Sequence, residues 1–487
     1  MLDLVITQTA TLREALTLID KTSHGLAFAI DETGALTGVL TDGDIRRSLL
    51  KGSTLQTPVA DVMQRHYTAL PVDSAPETIA ATLSDVITHI PLLDKAGRPV
   101  DYASFSRLHR IPVSEPSLNG NELAYVVECI KTNWVSSQGR FVNQFESKFA
   151  QFHGLDRALS VSNGTVALHL ALVALGLQPG DEVIVPDLTF AASANAVIHA
   201  GGKPVLVDVN ETTWTMDPDL LEEAITPRTR AIMPVHLFGH PCDMTPILAF
   251  AKKHELWVIE DCAEALGAEY QGKKIGTFGD AACFSFYGNK LITTGEGGMI
   301  LFKSSDLFEK AKRLRDHGMT PEKRYWHAEV GYNYRLTNLQ AAIGVAQMEQ
   351  AESFLEKKIS LAKQYRSALD GIPGIRFPQT ASWAKNVYWL YSILIGPELG
   401  IDRDELMFKL LQSGIETRPL FYPLHEMPPY RAFTGGRKFP NSVQTSRLGM
   451  SLPSAVTLTT EEVDRIAQAF KRILGIKQLY QSAQRSS

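Results

Sequence analysis

A lysine that follows a buried strand is placed for chemistry that a surface lysine cannot do. In C-F-S-F-Y-G-N-K-L-I-T-T-G-E-G-G-M, Cys283 to Met299, Lys290 follows an apolar run and precedes Gly295, Gly297 and Gly298. Desolvation lowers the pKa of an amine and supplies the neutral nucleophile that a Schiff base requires. Ser285, on the same run, offers a hydroxyl donor to a phosphate. Twenty-nine positions before Lys290, W-V-I-E-D-C-A-E-A-L-G-A (Trp257 to Ala268) ends a hydrophobic run in the acid pair Glu260-Asp261. A carboxylate there keeps a heterocyclic nitrogen protonated, as an electron-sink cofactor needs, or else caps the next helix. S-N-G-T, Ser162 to Thr165, stands before the apolar stretch 165–175. Free amides and the positive end of a helix dipole suit a phosphate, and the same residues suit simple capping. R-Y-W-H-A-E-V-G-Y-N-Y-R-L-T-N-L-Q, Arg324 to Gln340, gathers aromatics with His327, Asn333 and Arg335; a packed aromatic corner has the same composition.

These residues need a scaffold that brings them to one edge. Apolar runs at 182–185, 204–209, 230–235, 256–260 and 282–286 read as strands, and 191–199, 218–225 and 245–254 as helices between them. Alternation at this spacing predicts a mostly parallel sheet covered on both faces, with ligands bound beyond the carboxyl ends of its strands. The stretch 165–175 is apolar on nearly every side and predicts a buried helix, and Leu123, Val126, Val127 and Ile130 give a helical stripe ahead of it. A long helical pattern from Leu336 to about Leu369 leads into a smaller C-terminal α/β region. The expected domains are 1–110, 111–371 and 372–487, with a proline-broken linker at 106–117.

The first hundred residues have a different texture. Ile30-Asp31-Glu32-Thr33-Gly34 aligns with Leu93-Asp94-Lys95-Ala96-Gly97 at an offset of 63, each joining two apolar strands through an acidic turn. A helical pattern precedes each hairpin: Leu12, Ala15, Leu16 and Ile19, then Ile79, Leu83 and Val86. This doubled unit, an α+β repeat, resembles a pair of cystathionine-β-synthase (CBS) domains, and G-V-L-T-D-G-D-I-R-R, Gly38 to Arg47, matches the T-x-x-D signature of that family. The resemblance implies that Thr41 and Asp44 contact the phosphate and ribose of a regulatory nucleotide. In the second copy Asp101 replaces Gly38 and Arg107 replaces Asp44, and a guanidinium cannot accept ribose hydroxyl protons. One nucleotide site or none is expected, and a module kept for packing alone stays open.

From about Ile111 to Leu474 the four motifs together resemble the DegT/StrS-type sugar-nucleotide aminotransferases, a branch of the fold-type I pyridoxal phosphate (PLP) enzymes. The resemblance implies an α/β fold with a large PLP-binding domain and a small C-terminal domain. It assigns Lys290 the Schiff base to the cofactor and the proton moved between Cα and C4′. Asp261 is to hold the pyridine nitrogen, Phe190 of D-L-T-F to stack on the ring, and Gly164, Thr165 and Ser285 to hold the phosphate. Asn333 is to reach the phosphate of a neighbouring subunit, so a homodimer with shared active sites is implied. Glu264 stands where the family often has glutamine, beside the phenolic oxygen of the ring. Lys290 argues against the relatives that are dehydratases, which carry histidine there.

Within that family, N-G-T-V-A-L-H-L-A-L, F-S-F-Y-G-N-K, R-Y-W-H and F-Y-P-L-H-E-M-P-P-Y are similar to the GDP-perosamine synthase branch. That branch aminates the 4-keto carbon of GDP-4-keto-6-deoxymannose with L-glutamate as donor. Trp326 and His327 are then expected to line the sugar-nucleotide site. Tyr422 and His425 join them or simply pack, and Arg418 meets a diphosphate, the carboxylate of the donor, or a surface partner. The alternatives are a UDP-linked keto sugar of a bacillosamine or legionaminic acid pathway, and a nucleotide-sensing protein with an inactive aminotransferase body.

Composition removes other classes. The 48 basic and 53 acidic side chains of the 487 residues leave a net charge of −5, too even for a general nucleic-acid binder. Four cysteines without C-x-x-C spacing fit reduced thiols in a cytoplasm, with no metal site. No apolar run reaches membrane-spanning length and no basic segment opens an N-terminal leader, so no membrane partner is expected.

Overall fold

A computed structural model describes residues 4–22, 25–84, 87–104 and 110–476. Val86, Arg107 and the linker positions 106–109 lie outside the described residues. The chain divides into two compact units, Met1–Ile111 with Leu410–Ile415, and Pro112–Lys409 with Glu416–Ser487. Among the described residues no helix is long and apolar enough to cross a membrane.

The larger unit is organised by a seven-stranded sheet. Its strands in chain order are β1 (Ala158–Val161), β2 (Glu182–Pro186), β3 (Lys203–Val207), β4 (Thr229–Ile232), β5 (Trp257–Asp261), β6 (Ala281–Ser285) and β7 (Gly298–Phe302). Across the sheet they run β1-β7-β6-β5-β4-β2-β3. Every pairing from β3 to β6 is parallel, whereas β7 is antiparallel to both β6 and β1. The α/β class with a mostly parallel sheet is therefore as expected. The one reversal has a local cause: β6 and β7 are joined by a connection pinned at its base, where Phe286 N–H donates to Gly297 O at 2.8 Å. Lys290 sits in that connection, at the carboxyl end of β6. Both faces of the sheet are covered, one by Phe145 and Phe149, which pack on Phe284 and Phe286, and the other by the helix Gly164–Leu175. Leu168, Leu170 and Leu172 of that helix are buried, each worth about 1.5–3 kcal/mol on burial.

One expected helix is absent. The pattern at 218–225 forms only the single turn Pro218–Leu220. The Asp217 side chain caps that turn through Asp219 N–H at 3.1 Å. Pro227 disfavours helical geometry at Thr226 and so bounds the segment on its C-terminal side. The long helix runs Asn338–Leu369 and begins with a capping box, Thr337 and Gln340 each bonding the backbone of the other. Beyond it a four-stranded antiparallel sheet follows, in the order Ile375–Arg376, Ser392–Ile395, Gly449–Ser451, Arg418–Pro419.

In the smaller unit the repeat is geometric. Leu26 pairs with Thr41 and Ile30 with Leu36; adding 63 gives His89 with Ser104 and Leu93 with Pro99, the observed pairs, and each hairpin has its register shift at the same place. The helices are less alike. Leu12–Thr22 is full length in the first copy, whereas the second stops at Thr82 and Leu83 is already extended, with φ −72° and ψ 139°. Thr41 and Asp44 form a capping box for the helix Asp42–Leu50: Asp44 Oδ2 accepts from Thr41 Oγ1 at 2.6 Å and from Thr41 N at 3.0 Å. Asp44 Oδ1 accepts from Arg47 and Gln64 at 2.8 and 3.0 Å. Burial raises the pKa of Asp44, but Thr41, Gln64 and Arg47 outweigh it and hold the carboxyl below its usual range. Both oxygens are thus committed. Thr41→Ala is expected to lower the stability of this unit by about 1 kcal/mol, the ordinary worth of a cap. Faster amide hydrogen exchange across Asp42–Leu50 checks it; unchanged exchange contradicts it.

Candidate active site

Strand alternation divides the acid pair at the end of β5. Glu260 turns to the side of the loop 276–279 and accepts from the N–H groups of Gly276, Phe278 and Gly279 at 2.7–2.8 Å and from His236 Nε2 at 3.2 Å. Burial raises its pKa, and His236 with the amides more than reverses this. Cys262 lies close to His236 and Glu260 in this cluster. His236 Nδ1 accepts from Cys242 N–H at 3.0 Å, so Nε2 is the protonated nitrogen that faces Glu260. The network is closed on itself and structural.

Asp261 turns the other way, toward Lys290. Its carboxylate accepts from Ser193 Oγ at 2.8 Å and from Ala263 N–H at 3.2 Å, and it is 95% buried, with no cation in contact among the described residues. Burial pushes its pKa up, against the pull of Ser193, Ala263 and the more distant charge of Lys290. Such a carboxylate needs a cationic partner, and a protonated ring nitrogen is one. Ser193 bonds Thr189 at 3.1 Å. The D-L-T-F segment therefore presents Phe190 and also orients the acid, a link that Ser193, three residues past Phe190, could have signalled in the sequence.

Lys290, Glu264, Ser285, Val387 and Trp389 line one pocket. Lys290 Nζ is 3.8 Å from Glu264 Oε1 and 3.8 Å from the centre of the Trp389 ring. Burial lowers the pKa of Lys290, with Glu264 and Asp261 opposing. Burial raises Glu264 to about 7, with Lys290 and the amide of Phe238 opposing. Both members are driven toward their neutral forms, as a nucleophilic amine requires. Because the folded value of Glu264 lies above its reference of 4.5, its stabilising contribution is complete below about 4.5 and is lost as pH rises through about 7. Glu264→Gln removes that slope. Urea denaturation of the unliganded variant should show stability falling less between those pH values than in the wild type, and identical slopes would contradict the assignment.

The phosphate end is built by close approach. A Cβ on Gly164 would lie 2.8 Å from Ser285 Cβ, so only glycine keeps this junction open. Asn163 accepts from Val166 N–H at 3.0 Å, which leaves the amides of Gly164 and Thr165 without partners inside the helix. Amine, buried carboxylate, hydroxyl and amides together match what PLP presents: an aldehyde carbon, a ring nitrogen and a phosphate.

The remaining expected residues are spread more widely. Phe190 is 59% exposed, with Phe421 at 5.7 Å. Trp326, His327 and Asn333 stand exposed on the segment between Asp316 and Leu336, where Lys323 Nζ lies 4.1 Å from the Trp326 ring and His327 Nδ1 bonds His317 O at 2.8 Å. Arg418 and Tyr422 are exposed at the edge of the small sheet. His425 is differently placed: Nδ1 bonds Asp187 at 2.7 Å, its N–H donates to the same carboxylate, and its ring stacks on Phe439 at 4.6 Å. Through these contacts the histidine holds the turn Leu424–Glu426 at the end of β2. Thr41 and Asp44 lie in the smaller unit.

A family model described as the DegT/DnrJ/EryC1/StrS aminotransferase family matches residues 116–471, and a CBS domain model matches 3–51. GDP-perosamine synthase of Caulobacter vibrioides is 48% identical over 371 residues, which cover 76% of this chain and 100% of that protein. The Escherichia coli O157:H7 protein of the same name is 45% identical over 367 residues, covering 75% and 99%. Among solved structures, Streptomyces venezuelae DesV in complex with a ketimine intermediate superposes with a TM-score of 0.68 at 36% identity, over 73% of this chain and 94% of that one. Helicobacter pylori PseC, an aminotransferase involved in the biosynthesis of pseudoaminic acid, gives 0.71 at 28% identity, over 75% and 99%.

Proposed function

The chain belongs to the DegT/DnrJ/EryC1/StrS aminotransferase family, PLP-dependent enzymes of sugar modification, and on that premise we propose that it aminates the 4-keto carbon of GDP-4-keto-6-deoxymannose with L-glutamate as donor. The observation behind the chemistry is the convergence of Lys290, Asp261, Glu264 and the Gly164–Ser285 cradle at the carboxyl edge of the sheet. The similarity to GDP-perosamine synthases supports the choice of substrate.

The cofactor, when bound, supplies the electron sink that lets an amino group leave one carbon skeleton and join another. Everything else is done by the chain. Lys290 would give the amine that holds the aldehyde carbon, and its Nζ would then serve as the base that moves the proton. Asp261, fixed by Ser193, would keep the ring nitrogen protonated. The amides of Gly164 and Thr165, with Ser285 Oγ, would anchor the phosphate, and Phe190 would cover one face of the ring. Glu264, held by Phe238 N–H at 2.9 Å, lies beside Lys290, where it can exchange a proton with the amine.

The exposure of Trp326, His327, Arg418 and Tyr422 supports a role for them in meeting a sugar nucleotide or the carboxylates of glutamate. Tyr325, Trp326 and Val330 are 74%, 55% and 92% exposed on one segment with Asn333. That much apolar surface supports a homodimer in which the segment reaches the active site of a second copy. The comparison that tests the substrate is turnover of GDP-4-keto-6-deoxymannose against a UDP-linked 4-keto-6-deoxy sugar. Preference for the GDP sugar is expected; preference for the UDP sugar replaces it with the runner-up. A regulatory nucleotide at the N-terminal CBS domain must open the Thr41–Asp44 box, and equilibrium dialysis with adenine and guanine nucleotides tests whether one does.

A further inference from the structure

Trp389 is over-determined in a way that packing alone does not require. Its N–H donates to Phe238 O at 3.1 Å and its indole Nε1–H to Asn289 O at 2.8 Å, one residue before Lys290. The carbonyl of Trp389 accepts from Lys358 Nζ at 2.8 Å. The ring lies nearly parallel to Phe238, 8° apart with centres at 6.3 Å. Phe238 and Tyr388, the residue before Trp389, both hold left-handed backbones, with φ of 51° and 50°. Non-glycine residues persist there only when their surroundings fix them. The outcome of these contacts is a single orientation of the indole, face-on to Lys290 Nζ.

Lys358 is the least expected member. It lies inside the long helix Asn338–Leu369 and is 96% buried. Among the described residues no carboxylate pairs with it, and burial lowers its pKa to about 7. Its second contact is the carbonyl of Ser454, whose hydroxyl accepts from Tyr391 N–H at 2.9 Å. A buried amine without a counter-charge is rare, and a methionine would fill the same space. What a methionine lacks is N–H donors, and even the neutral amine has two, one for each carbonyl.

We infer that Lys358 is a positioning residue of the active site: by holding the Trp389 carbonyl from behind, it fixes the indole over Lys290 and so sets the aim of that amine and its access to water. This rests on Lys290 being the residue that holds the cofactor. A purely architectural lysine would tie the helix to the segments at 389 and 454 and leave the reactivity at Lys290 unchanged.

The test uses the full chain loaded with PLP. Lys358→Met, Trp389→Ala and the double variant are compared with the wild type for the rate at which hydroxylamine removes the absorbance of the lysine-bound cofactor, with thermal melting in parallel. Each single variant should be trapped about tenfold faster, the gain expected from admitting water and a small amine to a covered group. The double variant should be trapped no faster than Trp389→Ala. If the melt shows Lys358→Met to be unfolded, Lys358→Gln, which keeps one donor, should give an intermediate rate. Trapping of either Lys358 variant at the wild-type rate overturns the inference, as does a double variant whose acceleration is the product of the two singles. A wild type that never binds the cofactor through a lysine overturns the functional reading and this inference with it.

Discussion

Lys290→Ala should abolish amino transfer, lowering turnover by at least about a thousandfold, because one residue is both the group that holds the cofactor and the base that moves the proton. The variant should also lose the absorbance of a lysine-bound cofactor. Its stability should not suffer: removal takes away an amine that burial already pushes toward neutrality, together with its 3.8 Å contact to Glu264. Steady-state turnover, an absorbance spectrum and a denaturant melt on the same preparation check all three. Retained turnover would assign the chemistry to another residue, and a collapsed melt would mean that Lys290 is part of the packing.

Asp261→Asn should separate activity from stability. The substitution keeps the shape of the side chain and its bonding to Ser193 but cannot hold a protonated ring nitrogen, so turnover should fall by about a thousandfold. In the unliganded chain the sign reverses. The folded pKa of Asp261 lies above its reference of 3.8, so its stabilising contribution is present below that value and is lost as pH rises through the folded pKa. Burial disfavours the carboxylate, and among the described residues no cation contacts it, so above the folded pKa the asparagine variant should be more stable by about 1 kcal/mol. Less activity with more stability marks a group placed for chemistry. Losses in both would make Asp261 a structural cap.

The sequence carried the reactive residues because each is tied to a periodic element. An apolar run ending in Asp261, and another followed by Lys290 and a glycine turn, are legible once a parallel sheet is assumed. The 63-residue repeat was readable for the same reason, since two hairpins of equal length must place their turns at equal intervals. Other features depend on contacts between distant segments. Trp389 lies in the stretch read only as part of a smaller C-terminal α/β region, and nothing local shows that its indole covers a lysine 99 positions earlier. Lys358 reads as one more cation on an amphipathic helix. The T-x-x-D signature and a helix capping box place the same residue types at the same spacing, and only the Arg47 and Gln64 contacts distinguish a closed Asp44 from an open one. The helix expected at 218–225 forms only one turn, because apolar periodicity over two turns does not show whether a segment continues past its cap.

The most direct measurement is the second half-reaction followed by absorbance. The protein is converted to its amino form with L-glutamate and freed of donor, and GDP-4-keto-6-deoxymannose is added. Rapid return of the absorbance of the lysine-bound cofactor is the predicted result, and it would establish the transfer and its acceptor together. Absorbance that L-glutamate never bleaches would contradict the aminotransferase assignment itself. Absorbance that glutamate bleaches but that returns only with a UDP-linked sugar would contradict the choice of acceptor.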